Sequence, residues 1–572
     1  MGGAEMARHQ TAPIDPMIRF YRDIKERFTL KFVHSFAGRI RVRLDRICLT
    51  LLWLAIGVYS FVFIRQSFFL YHRYALTAYD LGIYDQAVWL ISRFHNTFDT
   101  VRGLPLLADH FDPILYFLAP LFWVWDSPKI LLIAQTLALA LGALPVYALA
   151  RRTTGLAPIG LLFAVCYLCY PPMEWSNTFD FHPEIFATPF LLGAFYYLIC
   201  GRRRLYFLLL VLTALTKETA GLTIILLGLY ALAVNRRLGW LTVGMGAAAL
   251  VIALGVLQIY HKGHPSPYFW LYSRYGKTPI QIVGTLLHHP IGVAAGLNTE
   301  ETRRYLFELF QPLFFLPLLA PEALALASPS LLANLLSGRS FMRMIYYQYT
   351  VYITPFVFIA SIIAFDRLRR WGGLFTTGLL VFYLIASTIW GLNESPFLIT
   401  SWPLTQPVSS FQADQAESIL RLIPPGVSVS AQSGLIPHID HRRLIYLFPN
   451  PFYQVACGDS VSALKQQVGL DYPPYHPRQV ANAIDNSTIE YVVLQPRGCI
   501  FPMLQKNLWP LLVVMLRSPN YGVIAIRGDT ILLRRGADHK GGLALLARAS
   551  GTPIRQDIDV EKSVKTYLKA FF

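Results

Sequence analysis

Long apolar runs punctuated by arginine clusters fill this sequence from about residue 47 to residue 390. A single soluble core has no use for that many apolar blocks, whereas a bilayer accepts them as spanning helices. Charged residues make up only 15% of the 572 residues, against about 25% in ordinary soluble chains. The net charge of +17 is not a nucleic-acid signature, because the basic residues sit beside the apolar runs: Arg39, Arg41, Arg43 and Arg46; Arg151 and Arg152; Arg202 to Arg204; Arg236 and Arg237; Arg367, Arg369 and Arg370. This is the positive-inside pattern, and it sets orientation.

The expected fold class is a polytopic α-helical membrane protein followed by a soluble α/β domain. About eleven spans are read, near 47–64, 130–150, 156–171, 185–200, 205–216, 219–234, 241–259, 304–320, 323–337, 349–365 and 372–390. Residues 1–46 form a basic cytoplasmic N-terminus without a cleavable signal, and 47–390 form the membrane domain. Residues 113–125 are too short to cross, so 65–129 becomes one large external loop. Within it, 79–94 is amphipathic and is expected along the membrane surface. Lys217 and Glu218 interrupt 205–234, and a hairpin of two short helices keeps both out of hydrocarbon. A linker at 391–411 leads to an extracytoplasmic α/β domain at 412–540 and a tail at 541–572. In that domain Cys457 and Cys499 are candidates for a disulfide, while the other four cysteines read as packing residues.

This topology gathers the unusual polar residues on the external side. They are Asp80 and Asp85 in AYDLGIYDQ; Asp109, His110 and Asp112 in DHFDP; Asp180, His182 and Glu184 in NTFDFHPE; Lys217 and Glu218 in TKE; and Arg274 in LYSRYGK. Carboxylates, histidines and bases converging at a membrane surface suit a charged substrate with a lipid tail, handled by acid–base or metal-assisted chemistry. No phosphate-cradling loop, dinucleotide glycine fingerprint or nucleophile elbow stands in a supporting context.

The order of these motifs resembles the GT-C superfamily of membrane glycosyltransferases, including the lipid A aminoarabinose transferases and the protein O-mannosyltransferases. Four features carry the resemblance: an acidic motif in a long first external loop, a proline-led helix (DPILYFL), an acidic motif after the third span (TFDFHPE), and a Thr-Lys dipeptide in a hairpin (LTKE). YDLGIYDQ, HFDP, FDFHPE, TKE and IPHIDHRRLIYLFP are also similar to a family of bacterial multi-pass membrane proteins defined by a domain of unknown function. The resemblance spans roughly residues 50–535. It implies a protein of the bacterial inner membrane that moves a sugar from a polyprenyl-phosphate donor to an extracytoplasmic glycan, lipid or protein acceptor.

On that reading Asp80 is the candidate general base, with Asp85 as a second candidate. Lys217 and Arg274 are the candidate contacts to the lipid phosphate. His110, Asp112, Asp180, His182 and Glu184 are suitable ligand types for a divalent metal. Each has a plainer alternative. Asp80 could cap a helix, Asp85 could lie on a solvated face, Lys217 could pair with Glu218 or snorkel, and the five ligand-type residues could simply tie loops together. Phe111-Asp112 also stands where the aminoarabinose transferases carry Glu-Lys before the proline, so that lysine's phosphate contact has no counterpart. Competing functions are a transporter or flippase of lipid-linked substrates and a non-catalytic envelope assembly protein.

Overall fold

A computed structural model describes residues 16–260, 268–398, 407–452, 477–495 and 505–549. Helices dominate up to residue 391. Four are long and apolar enough to cross a membrane: Val42–His72, Lys129–Thr154, Arg236–Tyr260 and Thr354–Glu394. Two bent pairs raise that number to six, Ala157–Leu168 with Pro171–Thr178 and Ile280–His288 with Pro290–Leu297. The remaining expected spans correspond to shorter helices, among them Ala187–Ile199, Arg203–Ala214, Ala220–Leu232 and Ser328–Leu336. The segment at 304–320 is helical in one piece only through Phe310. The helix Thr354–Gly391 is two arms, because Gly373 sits at φ 65° and ψ −150°, a conformation that side chains disfavour. Trp53, Phe61, Trp240, Val251, Trp371 and Phe375 are all exposed. On spanning helices such residues face lipid rather than water.

The arginine-rich ends meet at one end of the bundle. Arg151 binds Asp45 at 2.6 Å, and Arg369 donates to the Thr154 carbonyl at 3.1 Å. The helix that carries Asp45 runs on to His72, about 40 Å away at 1.5 Å per residue. At that far end, Tyr71 donates to the Pro437 carbonyl at 3.2 Å, and His438 stacks between Tyr71 and Tyr74. The C-terminal domain therefore sits at the end opposite the arginines.

That domain is built on a five-stranded sheet, in the order Ile445–Leu447, Val429–Ala431, Tyr491–Leu494, Thr530–Arg535, Tyr521–Arg527. The first three strands are parallel, and the last two form an antiparallel hairpin about Gly528-Asp529. The preceding helix, Ser410–Leu420, starts with a capping box between Ser409 and Gln412. Side chains alternate across the sheet. Val492, Leu494, Ile531 and Leu533 enter a core that also holds Leu512 and Tyr521. Val429, Ala431, Tyr491, Val493 and Leu532 enter a second core shared with Leu81, Ala87, Leu106, Leu115 and Phe122. The first external loop and the C-terminal sheet thus have one hydrophobic core between them, distinct from the core of the membrane helices.

This changes the place of the amphipathic stretch. Helix Ile83–Ser92 buries Ile83, Tyr84, Asp85, Gln86, Ala87, Val88, Leu90 and Ser92. It is sandwiched inside protein, with Gln86 donating to the Arg442 carbonyl at 3.1 Å, and does not lie on a membrane surface. It packs on Ile114–Leu118 and Leu121–Val124 of its own loop within the core that the C-terminal sheet also enters, partners that local periodicity does not reveal.

Candidate active site

The segment Asp180–Glu184 is the hub of the site. It follows the short helix Pro171–Thr178, and Asp180 takes a left-handed backbone at φ 49°. Gln135 holds that turn from the neighbouring helix. Its Nε2 donates to the carbonyls of Asn177 and Asp180 at 3.0 and 2.8 Å, and its Oε1 accepts the His182 N–H at 3.0 Å. The buried Asp180 carboxylate accepts from the Thr77 N–H at 3.0 Å and from its hydroxyl at 3.2 Å. Burial, and then the nearby Asp80 carboxylate, push the Asp180 pKa well up.

Asp80 lies in a single π-helical turn, Ala78–Gly82. Its Oδ1 is 3.0 Å from His182 Nε2, and its Oδ2 accepts from the Thr77 hydroxyl at 3.2 Å. His182 Nδ1 is 3.2 Å from the Phe179 carbonyl. Gly82 closes the turn against the C-terminal domain, where a Cβ would come within 2.9 Å of Ile436 Cγ2.

Two residues beyond His182, Glu184 binds Lys217 Nζ at 2.6 Å. Lys217 and Glu218 lie in the turn between helices Arg203–Ala214 and Ala220–Leu232. That turn is pinned by the Ile114 N–H donating to the Leu215 carbonyl at 2.9 Å. Burial disfavours the Lys217 cation, but Glu184 and Glu218 outweigh it and hold its pKa above the ordinary value. Glu218 is 3.3 Å from His110 Nδ1 and accepts the Phe111 N–H at 3.2 Å. Burial opposes both charges of this pair, yet mutual attraction raises His110 to about 9 and lowers Glu218 to about 2. His110 stacks on Tyr268 at 5.0 Å, and Tyr268 donates to Asp109 at 2.7 Å. Asp109 in turn takes a two-pronged bond from Arg102 at 3.0 and 2.7 Å. Asp112 is buried, its Oδ1 has no hydrogen-bond partner among the described residues, and burial drives its pKa well up. Tyr84 stands among the Asp112, Glu184, Asp109 and Asp80 carboxylates, whose charges, after burial, raise its pKa.

Asp80, His110, Asp112, Asp180, His182, Glu184 and Lys217 are therefore drawn into one region from four separated stretches of chain. Asp85 is not. One helical turn beyond Asp80, it is fully buried and faces the other way, toward the C-terminal domain, where His441 Nε2 is 3.1 Å from its Oδ2. Arg274 is exposed, with its guanidinium 6.0 Å from the Tyr275 ring centre. Cys457 and Cys499 lie outside the described residues. Sequence reasoning gave no role to Thr77, Tyr84, Arg102, Gln135 or Tyr268, since a lone polar residue beside an apolar run carries no distinguishing pattern. Among the described residues, one group of three ligand-type side chains has its ligand atoms within 4.8 Å of one another: Asp85, Asp440 and His441.

Residues 71–483 match the model of a family described as a predicted membrane protein family, DUF2079. No curated protein matches the sequence. Among solved structures, the chain is similar to ArnT from Cupriavidus metallidurans bound to undecaprenyl phosphate, with TM-score 0.49 and 14% identity over 86% of this chain and 98% of that one. It is also similar to the Archaeoglobus fulgidus oligosaccharyltransferase in complex with Zn and sulfate, with TM-score 0.39 and 11% identity over 77% of this chain and 67% of that one. The archaeal oligosaccharyltransferase AglB from the same organism, in complex with an inhibitory peptide and a dolichol-phosphate, gives TM-score 0.38 and 10% identity over 82% and 72%. At these scores the likeness assigns no chemistry, and the functional reading rests on the site.

Proposed function

This chain belongs to the DUF2079 family of predicted membrane proteins, and we propose that it is a membrane glycosyltransferase using a polyprenyl-phosphate-linked sugar. The observation that carries the reading is the two-sided use of one short segment. His182 holds the Asp80 carboxylate at 3.0 Å, and Glu184 holds the Lys217 ammonium at 2.6 Å. A partly exposed base and a partly exposed cation are thereby fixed on either side of the same five residues. The motif order, which resembles the GT-C transferases, supports the same reading.

In the proposed reaction an acceptor hydroxyl attacks the anomeric carbon of the donor sugar. The bond from that carbon to the phosphate oxygen breaks, and the polyprenyl phosphate leaves with the bonding pair. Asp80 takes the hydroxyl proton, and His182 keeps the carboxylate oriented. Lys217 offsets the charge that develops on the leaving phosphate. Of the five side chains with ligand chemistry, His110, Asp180, His182 and Glu184 are engaged by Glu218, Thr77, Asp80 and Lys217. Among the described residues, no three of these five bring ligand atoms within 4.8 Å of one another, and the proposed chemistry rests on Asp80 and Lys217. The positive-inside rule assigns the arginine-rich end to the cytoplasm and the site, with the C-terminal domain, to the opposite side, with about eleven crossings. The turn that carries Lys217 and Glu218 is bound to the loop segment His110–Ile114 rather than standing among helices at mid-membrane, which favours an enzyme over a transporter.

The test is transfer by the purified full chain in nanodiscs, with a panel of polyprenyl-phosphate sugars and with Asp80→Asn and Lys217→Ala alongside. Release or transfer that needs both residues is the expected result. Donor binding without release or transfer from any sugar on the panel would overturn the reading.

A further inference from the structure

Asp85, Asp440 and His441 meet where the first external loop packs on the C-terminal domain. Asp85 and Asp440 are almost wholly buried, and the His441 side chain is mostly covered. His441 Nε2 lies 3.1 Å from Asp85 Oδ2, yet the alignment makes no hydrogen bond. Among the described residues, Asp85 Oδ1 and Oδ2, Asp440 Oδ2 and His441 Nε2 are all buried with no aligned hydrogen-bond partner. Four partnerless polar atoms facing one another inside a protein are rare, because each costs about 1–3 kcal/mol left unsatisfied.

The surroundings define what would satisfy them. His441 Nδ1 is 3.1 Å from Asp126 Oδ1, and Asp126 is held at 2.8 Å by Arg93. A carboxylate at Nδ1 fixes the ring proton there and leaves Nε2 as a lone pair. Trp89 stacks on the ring at 5.7 Å and 18°, holding its plane. The neighbouring guanidinium of Arg442 is directed at the Ile439 and Val427 carbonyls, and that of Arg93 is taken by Asp126. The Nε2 lone pair and the two carboxylates therefore bring ligand atoms within 4.8 Å of one another, and among the described residues no basic side chain reaches between them. Asp85 and Asp440 face each other at hydrogen-bond range, so what satisfies the group is a cation, either a proton shared by the two carboxylates or a metal ion that also takes the imidazole nitrogen.

We propose that Asp85, Asp440 and His441 bind a divalent transition metal, of the class of Zn²⁺, which clasps the first external loop to the C-terminal domain. One imidazole nitrogen and two carboxylates are a ligand set such ions take, and three protein ligands leave a position for water. The two carboxylates balance the ion's charge, so the clasp is neutral overall. Asp126 supplies the outer carboxylate that orients a ligating histidine. The site stands apart from the Asp80–Lys217 region and does not depend on the function proposed for it.

The experiment uses the full chain in detergent, stripped with chelator, then loaded with Zn²⁺ and analysed for bound metal by mass spectrometry, with Co²⁺ absorption as a second readout. The expected result is about one ion per chain for wild type and for Asp80→Asn, and none for Asp440→Asn or His441→Ala. Asp126→Asn keeps all three ligands and is expected to weaken binding about 10–100-fold, which guards against variants that merely misfold. Zn²⁺ should also raise the thermal midpoint of wild type and leave that of His441→Ala unmoved. Wild type that binds no ion, or binds as much as His441→Ala, would overturn the proposal and leave a proton shared between Asp85 and Asp440 as what holds the carboxylates together.

Discussion

His182 Nε2 lies 3.0 Å from Asp80 Oδ1, across 102 residues of sequence. The contact ties the turn of the first external loop to the acidic segment after Pro171–Thr178. In the proposed reaction Asp80→Asn removes the proton acceptor and keeps the shape. Transfer rates are expected to fall about 10²–10⁴-fold, with the thermal midpoint nearly unchanged. His182→Gln should lose less, since it positions the base without taking the proton. Single-turnover assays on both variants check the ranking, and equal losses would show that His182 does more than orient.

Lys217 and Glu184 form a separate pair at 2.6 Å. Lys217→Ala is expected to cut transfer about 10²-fold or more and to lower stability, because it strands the mostly buried Glu184 carboxylate. The double variant Lys217→Ala with Glu184→Gln should recover stability without recovering activity. Thermal melts and transfer assays on the same preparations separate the two effects; recovery of both would remove Lys217 from the chemistry.

The His110–Glu218 pair sets a pH dependence. His110 is raised from 6.5 to about 9, so its stabilisation is complete below about 6.5 and is lost as pH rises through about 9. Glu218 is lowered from 4.5 to about 2, so its share is present above about 4.5 and is lost as pH falls toward 2. The stability advantage of wild type over Glu218→Gln should be greatest between about pH 4.5 and 6.5 and should shrink toward pH 9. Melting curves across that range check it, and an advantage that grows with pH would contradict the pair.

Gly82 sits against Ile436 with no room for a methyl group. Gly82→Ala is expected to cost about 1–3 kcal/mol by prising the Asp80 turn from the C-terminal domain. Pairing it with Ile436→Ala should restore part of that loss. Limited proteolysis reads the docking directly, through faster cleavage between 391 and 411 in the single variant and slower cleavage in the pair.

Much of this was open to sequence reasoning, and the reasons differ by element. Arginine clusters and apolar runs reveal helix positions because lipid imposes them locally, and the hairpin about Gly528-Asp529 shows in its turn residues. The convergence of Asp80, His182 and Lys217 followed from placing loops on one side, though their partners did not. Asp85 shows the limit. Five residues from Asp80, it reads as a second acid for the same site, yet a helix turns about 100° per residue, and it projects to the opposite side. Its partners, Asp440 and His441, stand some 355 residues on. The IPHIDHRR stretch carried no role by itself: it holds His438, Asp440 and His441 close together, but the residue they meet, Asp85, lies in a distant loop.

The shared core also sets an order of assembly. Ala78 bonds Ser433 across 355 residues, so the loop that reaches the far side first waits there for a partner still being made. At about 5–20 residues per second, the wait is roughly 18–70 seconds, during which the core around Leu81, Ala87 and Leu115 lacks the side chains that the C-terminal domain adds to it. A chain of this design calls for a chaperone or a membrane surface to shelter that face during synthesis. Shortening the chain from its C-terminus would turn that transient exposure into a permanent one.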